Sequence, residues 1–325
     1  MNVPLVSVKT ITYNHEPYIR NCIEGVLMQK TNFKFEYIIG EDCSTDNTRA
    51  IVKEYAEKYP GIIRFIFSNE NVGGKENSRR VRDACKGKYQ VTCEGDDYWI
   101  DPLKLQKQVD FMEKNLDYGL VYTDYLIYSE VLKRLDDKSV YSNISPPSGN
   151  VLIDLVLKNF IPTVTVMFRS ALYKEIISER KDIKRGWLMG DYPLWLEFAR
   201  ISKIGFLKDV TSVYRKNINS ASNFNSYRKK FDFQLSRYDC AFYYCKEFDL
   251  PSDVYLKLQS SYNLTKLKYS FYLMDRDLFR EAEAYYKFNP KPNGYLMYKL
   301  GGRIWFLNRF FRFLLTIRRY YRKNV

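Results

Sequence analysis

Apolar and polar residues alternate between two periods along the first hundred residues. Short, mostly apolar runs that are typical of buried strands lie at residues 5–12, 35–40, 62–67 and 89–93. Apolar side chains recur at helical spacing between these runs, at residues 17–30, 46–59 and 76–85. Because strands that alternate with helices pair in parallel, this pattern predicts an α/β fold: a Rossmann-like, mostly parallel sheet with helices on both faces.

The pattern is less regular after residue 100. A helix is predicted to begin at Asp101, an N-cap carboxylate that Pro102 follows at the first helical position, and to end near residue 115. Later strands are predicted at residues 120–128 and 163–168. Later helices are predicted at residues 151–159, 171–180 and 191–201.

From about residue 225 onward the spacing is helical and aromatic residues are frequent. The chain contains no internal repeat. We therefore predict two domains: residues 1–224, which contain the sheet, and residues 225–325, a helical C-terminal region.

The single histidine, His15, restricts the chemistry more than any other feature of the composition. It excludes zinc sites built from several histidines, and any Ser/His/Asp or Cys/His catalytic pair would need that residue. A bound metal would therefore have oxygen ligands. The six cysteines form no C-x-x-C pair, and the first residues lack the basic and apolar regions of a signal peptide. We expect a cytoplasmic chain with reduced thiols.

Ligands of parallel α/β sheets bind at the carboxyl ends of the strands, so the residues there are candidates for a site. The first predicted strand is followed by Tyr13. The second is followed by Asp42, whose carboxylate can accept a hydrogen bond from a nucleobase N–H or a ribose hydroxyl. Residues 44–46 after it are natural helix N-caps.

Three carboxylates follow the fourth predicted strand: Glu94, Asp96 and Asp97. They repel one another unless a cation compensates their charge, and Gly95 allows a sharp turn between them. Oxygen ligands suit Mn²⁺ or Mg²⁺, which bridge to substrate phosphates. The alternative interpretation is an acidic turn exposed to solvent.

In order and spacing, these segments resemble the GT-A fold glycosyltransferases of family 2. The resemblance covers roughly the first 220 residues and depends on the following segments: Val6-Ser7-Val8, Thr12-Tyr13-Asn14, Glu41-Asp42-Cys43-Ser44-Thr45-Asp46, Asn71-Val72-Gly73, Gly87-Lys88-Tyr89, Glu94-Gly95-Asp96-Asp97-Tyr98-Trp99 and Gly190-Asp191-Tyr192-Pro193-Leu194-Trp195.

The resemblance implies roles for residues at the ends of the first two strands. Ile11, Thr12 and Tyr13 would contact the nucleotide of a nucleotide-sugar donor. Asp42 would hold its base, typically uracil.

The acidic segment would bind the metal and the rest of the donor. Asp96 and Asp97 match the DXD motif that binds the metal ion together with the donor's ribose and diphosphate. Glu94 occupies the first acidic place of that motif, where Asp is more usual.

Asp191 falls where the family has its catalytic base, in an acidic pair whose first member is here Gly190. As a base it would take the proton of the acceptor hydroxyl as that oxygen attacks the anomeric carbon, and inversion would follow. The alternative is that Asp191 only caps the predicted helix after it.

A later segment resembles the family's Tyr-Arg-x-His sequence near the donor phosphates. Arg215 could pair with a phosphate or lie at the surface. Asn217 replaces the histidine that is sometimes counted as a further metal ligand, and its amide oxygen can still coordinate.

Positive charge concentrates at the C-terminus. Residues 284–325 contain ten Lys and Arg and no acidic residue, against a net charge of +14 for the chain. Aromatic and basic residues at helical spacing in residues 295–325 predict an amphipathic helix on an anionic membrane surface. Such a helix could instead pack on the catalytic domain. No nucleic-acid-binding motif is present, so we expect no nucleic-acid partner.

These observations predict an inverting, metal-dependent glycosyltransferase of the hexosyl or N-acetylhexosaminyl type. Its donor would be a nucleotide sugar, most simply a UDP-sugar. Its acceptor would be a carbohydrate or lipid-linked glycan in cell-surface polysaccharide or glycolipid biosynthesis, at the inner face of the membrane. The alternative is a catalytically silent nucleotide-binding assembly subunit, which the departures at Gly190 and Asn217 would suit.

Overall fold

The computed structural model describes residues 3–180, 185–217, 226–293 and 295–303, without the side chains of residues 297 and 301–303. The chain divides into two compact units. The first contains Met1–Gly186 and Gly190–Ile218, and the second contains Trp187–Met189 and Asn219–Val325. The predicted boundary at residue 224 and most of the predicted amphipathic helix, residues 304–325, lie outside the described residues.

The first unit is built around a mixed sheet. Its strands are β1 Val6–Thr12, β2 Phe35–Glu41, β3 Ile63–Phe67, β4 Tyr89–Thr92, β5 Tyr98–Trp99, β6 Tyr118–Ser129, β7 Arg134–Leu135, β8 Met167–Arg169 and β9 Lys203–Lys216. The strand order is β3-β2-β1-β4-β8-β6-β9-β5, and β7 pairs with β6. Strands β3, β2, β1 and β4 are parallel, as are β6 and β9, whereas β8 is antiparallel to both of its neighbours.

Helices connect the strands of this unit. They are α1 Ile19–Leu27, α2 Thr48–Lys58, α3 Gly74–Asp83, α4 Lys104–Lys114, α5 Leu152–Leu157, α6 Ser170–Glu179 and α7 Tyr192–Ile201. The strands and helices predicted for the first hundred residues are all present, and the predicted α/β fold is confirmed.

Strand β2 shows why the helices lie on both faces of the sheet, since successive side chains of a strand point to opposite faces. Tyr37 and Ile39 belong to the main core cluster, to which α1, α2 and α4 contribute. Ile38, between them, packs with Val81 of α3. At Gly40, a Cβ atom would lie 2.3 Å from a Val81 methyl group, so this glycine allows α3 to pack close to the sheet.

Two predicted elements are wrong in detail. Residues 163–165 form a short 3-10 turn and not a strand, because the Thr165 N–H and hydroxyl both bond to the Pro162 carbonyl, at 3.1 and 2.8 Å. Asp101 is not the N-cap of α4, which is Leu103. The Asp101 carboxylate instead accepts from the Leu103 N–H at 2.9 Å and pairs with Lys107 at 2.7 Å.

Strand β9 is the main element that the sequence pattern did not predict. It pairs with β6 along most of its length, but the register shifts between Thr123 and Tyr125 of β6. The polar pair Lys208-Asp209 falls at this irregularity and interrupts the apolar alternation. This strand matters for the site because its last residues lie beside the acidic turn after β4.

The second unit is helical in its described part, as predicted for residues after 225. Its helices are α8 Tyr227–Glu247, α9 Ser252–Leu273, α10 Arg276–Phe288 and α11 Tyr295–Arg303. Leu267, Ala282, Tyr286 and Tyr295 form a small core between α9, α10 and α11. Within the described residues, no helix is both long and apolar enough to cross a membrane.

Candidate active site

The carboxyl ends of β1 and β2 bring the first group of predicted residues to one edge of the sheet. Ile11 packs in the apolar cluster under α3. Thr12 is buried, with its hydroxyl 3.2 Å from Nδ1 of His15. Tyr13 is 41% exposed, so it is the residue of this group whose side chain a ligand can reach most freely.

The loops after β1 and β2 are joined by side chains. Asn14, at a positive φ of 53°, accepts from the Thr45 N–H at 2.8 Å, and the Ser44 hydroxyl accepts from the Asn14 N–H at 3.0 Å. Asp46 accepts from the N–H of Glu16 at 3.0 Å and of Thr48 at 2.9 Å. Residues 44–46 therefore fix the two loops to each other. They are not the N-cap of α2 as predicted, which is Asn47.

Asp42 is buried, and both of its oxygens are used within the chain. Oδ1 accepts from the Val72 N–H at 2.8 Å and Oδ2 from the Gly73 N–H at 2.9 Å. The carboxylate thus fixes the loop before α3. Each oxygen retains a second lone pair that can accept a further hydrogen bond.

The acidic turn, Glu94 to Asp97, is the densest group of charge in the site. Ligand oxygens of Glu94, Asp96 and Asp97 all lie within 4.8 Å of one another. Oδ1 of Asp97 accepts from the Arg215 N–H at 2.8 Å, whereas its Oδ2 is buried without a hydrogen-bond partner among the described residues. Oδ2 of Asp96 accepts from the Asn217 amide at 3.0 Å.

Gly95 allows the acidic turn to lie against the end of β1. Its N–H donates to the Ile11 carbonyl at 3.2 Å. A Cβ atom at this position would lie 2.6 Å from Nδ1 of His15 and 2.7 Å from Oγ1 of Thr12. Only glycine fits here without displacing these neighbours.

The electrostatics of the acidic turn favour a bound cation. Burial, with the charges of Asp96 and Asp191, raises the pKa of Glu94 to about 8. Burial and the two neighbouring carboxylates raise the pKa of Asp97 well above its usual range. A divalent ion would compensate this charge and give Oδ2 of Asp97 a partner, so the residues fit an oxygen-ligated Mn²⁺ or Mg²⁺.

Asp191 caps α7 and is bonded to the 3-10 turn. Its Oδ1 accepts from the Tyr192 N–H and its Oδ2 from the Thr163 hydroxyl, both at 2.7 Å. Burial raises the pKa of this carboxyl. Because its charge also raises the pKa of Glu94, Asp191 lies within electrostatic range of the acidic turn.

The 3-10 turn that carries Thr163 is held by buried groups from β5 and α4. The Trp99 indole donates to the Val164 carbonyl at 3.2 Å. Lys104 and Gln108 donate to the Thr165 carbonyl at 3.0 and 2.8 Å. These bonds place Thr163, and through it the Asp191 carboxylate.

Arg215 is buried and not at the surface. It is 6% exposed, forms an ion pair with Glu130 at 2.7 Å and donates through Nε to the Asp96 carbonyl at 2.9 Å. The sequence pattern did not indicate Thr163 or Glu130 as site residues. Thr163 begins one predicted strand and Glu130 lies two residues beyond another, but no local pattern connects them to Asp191 and Arg215, which are 28 and 85 residues away.

Comparisons with known proteins identify the family and the fold. The family model described as glycosyl transferase family 2 matches residues 7–175, just over half of the chain. An uncharacterized protein of Mycobacterium tuberculosis is 34% identical over 215 residues, which cover 65% of this chain and 59% of that protein. The chain therefore matches less than two thirds of the length of this relative.

Two Bacillus subtilis proteins that carry glycosyltransferase names also match. EpsE is 27% identical over 256 residues, which cover 78% of this chain and 86% of EpsE. TuaG, named for teichuronic acid biosynthesis, is 32% identical over 165 residues, which cover 50% of this chain and 62% of TuaG.

Two solved structures share the fold. Staphylococcus aureus TarS in complex with UDP-GlcNAc has a TM-score of 0.54 at 16% identity, covering 87% of this chain and 91% of that one. The Pyrobaculum calidifontis mannosyltransferase PcManGT, in complex with GDP-Man and Mn²⁺, has a TM-score of 0.59 at 16% identity, covering 99% and 86%.

The close packing at Gly95 gives a direct test of the site's geometry. Replacing Gly95 with Ala should lower the free energy of unfolding by about 1–3 kcal/mol, because the new methyl group must displace Thr12 or His15. Gly74→Ala is the matched control, since nothing lies within 4 Å of a Cβ there and its helical position favours alanine. Urea denaturation measures both; equal stability of the two variants would contradict the packing.

Proposed function

The chain belongs to glycosyl transferase family 2, and from this premise we propose that it is an inverting, metal-dependent transferase. It transfers a hexosyl or N-acetylhexosaminyl group from a UDP-sugar to a hydroxyl of a carbohydrate or lipid-linked glycan. The product belongs to a cell-surface polysaccharide or glycolipid. The names of EpsE and TuaG and the UDP-GlcNAc complex of TarS support this proposal.

The observation that carries the proposal is the acidic turn. Its three carboxylates converge within 4.8 Å, and one buried oxygen of Asp97 lacks a hydrogen-bond donor among the described residues. Asp96 and Asp97, with Glu94, would hold the metal ion, and Asn217 could add its amide oxygen. When bound, the metal supplies positive charge beside the diphosphate that leaves the anomeric carbon.

Asp191 is the residue that we assign as the base. It accepts the proton of the acceptor hydroxyl while that oxygen attacks the anomeric carbon from the face opposite the diphosphate, which inverts the configuration. Thr163 and the Tyr192 N–H fix the two carboxylate oxygens, and a raised pKa makes the carboxylate a stronger base than an exposed aspartate. Capping α7 and acting as a base are compatible.

The donor's nucleoside lies, in this proposal, at the ends of β1 and β2. Tyr13 offers an exposed ring, Thr12 and Ile11 form the edge of the sheet, and Asp42 has free lone pairs. Arg215 lies beside the acidic turn, where it bonds to Glu130 and to the Asp96 carbonyl.

The base and the metal site are tested together. Purified protein is incubated with a panel of UDP-sugars and acceptors in Mn²⁺ or Mg²⁺, and transfer is measured with and without a chelator. We expect chelation to abolish transfer and Asp191→Asn to lower kcat at least about 100-fold, as expected for the loss of a general base. Asp110→Asn, an exposed aspartate on α4, is the matched control. Undiminished turnover with chelator and in Asp191→Asn would overturn the mechanism.

The silent-subunit alternative has two sequence observations in its favour, Gly190 in place of an acidic residue and Asn217 in place of a histidine. It requires nucleotide binding without chemistry. UDP binding that persists with neither sugar transfer nor donor hydrolysis, across the same panel, would favour it over the enzyme.

The Thr163 hydroxyl gives a second test of the base. It lowers the pKa of Asp191 against the effect of burial, so Thr163→Val should raise that pKa further. We expect kcat to fall several-fold and the acid limb of the kcat–pH profile to move to higher pH. Thr165→Val removes a hydroxyl from the same turn that bonds to Pro162 and should leave the limb in place. A profile unchanged in Thr163→Val would exclude Asp191 as the titrating base.

We also propose that the C-terminal region binds the anionic inner face of the membrane. Leu296 and Leu300, four residues apart on α11, are 67% and 50% exposed, and Phe288 before them is 89% exposed. The ten cations of residues 284–325 complement anionic headgroups.

Vesicle flotation tests this binding. The protein should float with vesicles that contain phosphatidylglycerol, and not with neutral ones, and less in 1 M salt because screening shortens the range of its charge. Deleting residues 304–325 removes six of the ten cations and should greatly reduce flotation. This deletion retains Tyr295, which belongs to the core of the second unit. Equal flotation of the truncated and full chains would overturn the assignment.

A further inference from the structure

The Arg215 guanidinium is enclosed by three tyrosine rings. Its carbon lies 4.8 Å from the ring centre of Tyr18, 5.0 Å from that of Tyr128 and 5.2 Å from that of Tyr98. The rings come from the residue before α1, from β6 and from β5. Such rings attract a cation and exclude water from it. Arg215 therefore joins four separate parts of the chain, counting its own strand β9.

Arg215 also holds the acidic turn at two points. Its backbone N–H donates to Oδ1 of Asp97 at 2.8 Å, and its Nε donates to the Asp96 carbonyl at 2.9 Å. The side chain of Asp97 and the backbone of Asp96 are thus fixed by one residue. Because the carboxylates of this turn repel one another, such a support keeps them converged.

Glu130 completes the arrangement. It lies one residue beyond β6, its side chain is 9% exposed, and its Oε1 accepts from Nη1 of Arg215 at 2.7 Å. Its Oε2 pairs with the exposed Lys133 at 2.5 Å. A buried guanidinium needs a compensating charge, and Glu130 provides it.

We propose that Glu130 and Arg215 are positioning residues, which orient Asp96 and Asp97 toward the divalent cation and do not contact the donor diphosphate. This inference rests on the proposed function. The guanidinium is held by its bonds to Glu130 and the Asp96 carbonyl, and Arg215 is only 6% exposed among the three rings, so little of its surface is open to a donor phosphate. Mutating a group that orients metal ligands in this way typically weakens metal binding about 10- to 100-fold.

The two possible roles of Arg215 predict opposite effects for Glu130→Gln. If Arg215 bound the diphosphate directly, removing the competing carboxylate would free the guanidinium, and the donor KM would stay the same or fall. If the pair positions the acidic turn, Glu130→Gln leaves a buried cation uncompensated, the turn loses its support, and the metal binds more weakly.

The experiment measures Mn²⁺ binding to the full chain, from the electron paramagnetic resonance signal of free Mn²⁺, alongside transfer kinetics over a range of Mn²⁺. Glu130→Gln and Arg215→Lys should each weaken Mn²⁺ binding about tenfold, since lysine cannot reproduce the guanidinium's planar contacts. Saturating Mn²⁺ should recover most of kcat in Glu130→Gln, with the donor KM close to that of the wild type. Lys133→Met, which removes the exposed partner of the same carboxylate, should bind Mn²⁺ normally.

Two results would overturn the inference. One is wild-type Mn²⁺ affinity in Glu130→Gln, above all with a lower donor KM. The other is a kcat loss that Mn²⁺ does not recover and that accompanies a lower melting temperature. Mn²⁺ binding and sugar transfer by the wild type separate a failure of this inference from a failure of the proposed function. If the wild type neither binds Mn²⁺ nor transfers sugar, the proposed function fails, and the inference fails with it.

Discussion

The mutual repulsion of three carboxylates at a buried strand end is the constraint on which the site depends. Glu94, Asp96 and Asp97 lie within 4.8 Å of one another, where burial and like charge raise the pKa of Glu94 and Asp97. The fold opposes this repulsion from several sides. Gly95 lets the turn pack against β1, the Asn217 amide donates to Asp96, and Arg215 holds both aspartates. In our account a divalent cation supplies the remaining charge.

The rest of the first unit places other groups around this turn. Side chains after β1 and β2 join the two loops, and Asp42 fixes the loop before α3. On the other side, Trp99 and Lys104 hold the 3-10 turn whose Thr163 orients Asp191. Burial lowers the pKa of Lys104 to about 7, so this support includes a cation whose charge is costly to bury. Each side of the site therefore includes a buried ionisable group, Asp42 on one and Lys104 on the other.

Sequence reasoning predicted the parts of the site that follow from local patterns. Apolar runs and helical spacing identified β1 to β4, and the strand-end rule identified Asp42 and the acidic turn. It could not find Glu130 or Thr163, because their partners Arg215 and Asp191 are 85 and 28 residues away. The burial of Arg215 was missed for a related reason. It depends on pairing between β6 and β9, whose bulges hide the strand pattern.

The central claim is that the acidic turn binds a divalent cation for sugar transfer. Anomalous diffraction at the manganese absorption edge, from crystals grown with Mn²⁺ and UDP, tests it most directly. The account predicts one strong peak about 2 Å from carboxylate oxygens of Asp96 and Asp97, with the UDP diphosphate on its other side. A bound UDP with no manganese peak at the acidic turn, or with the peak elsewhere, would contradict it.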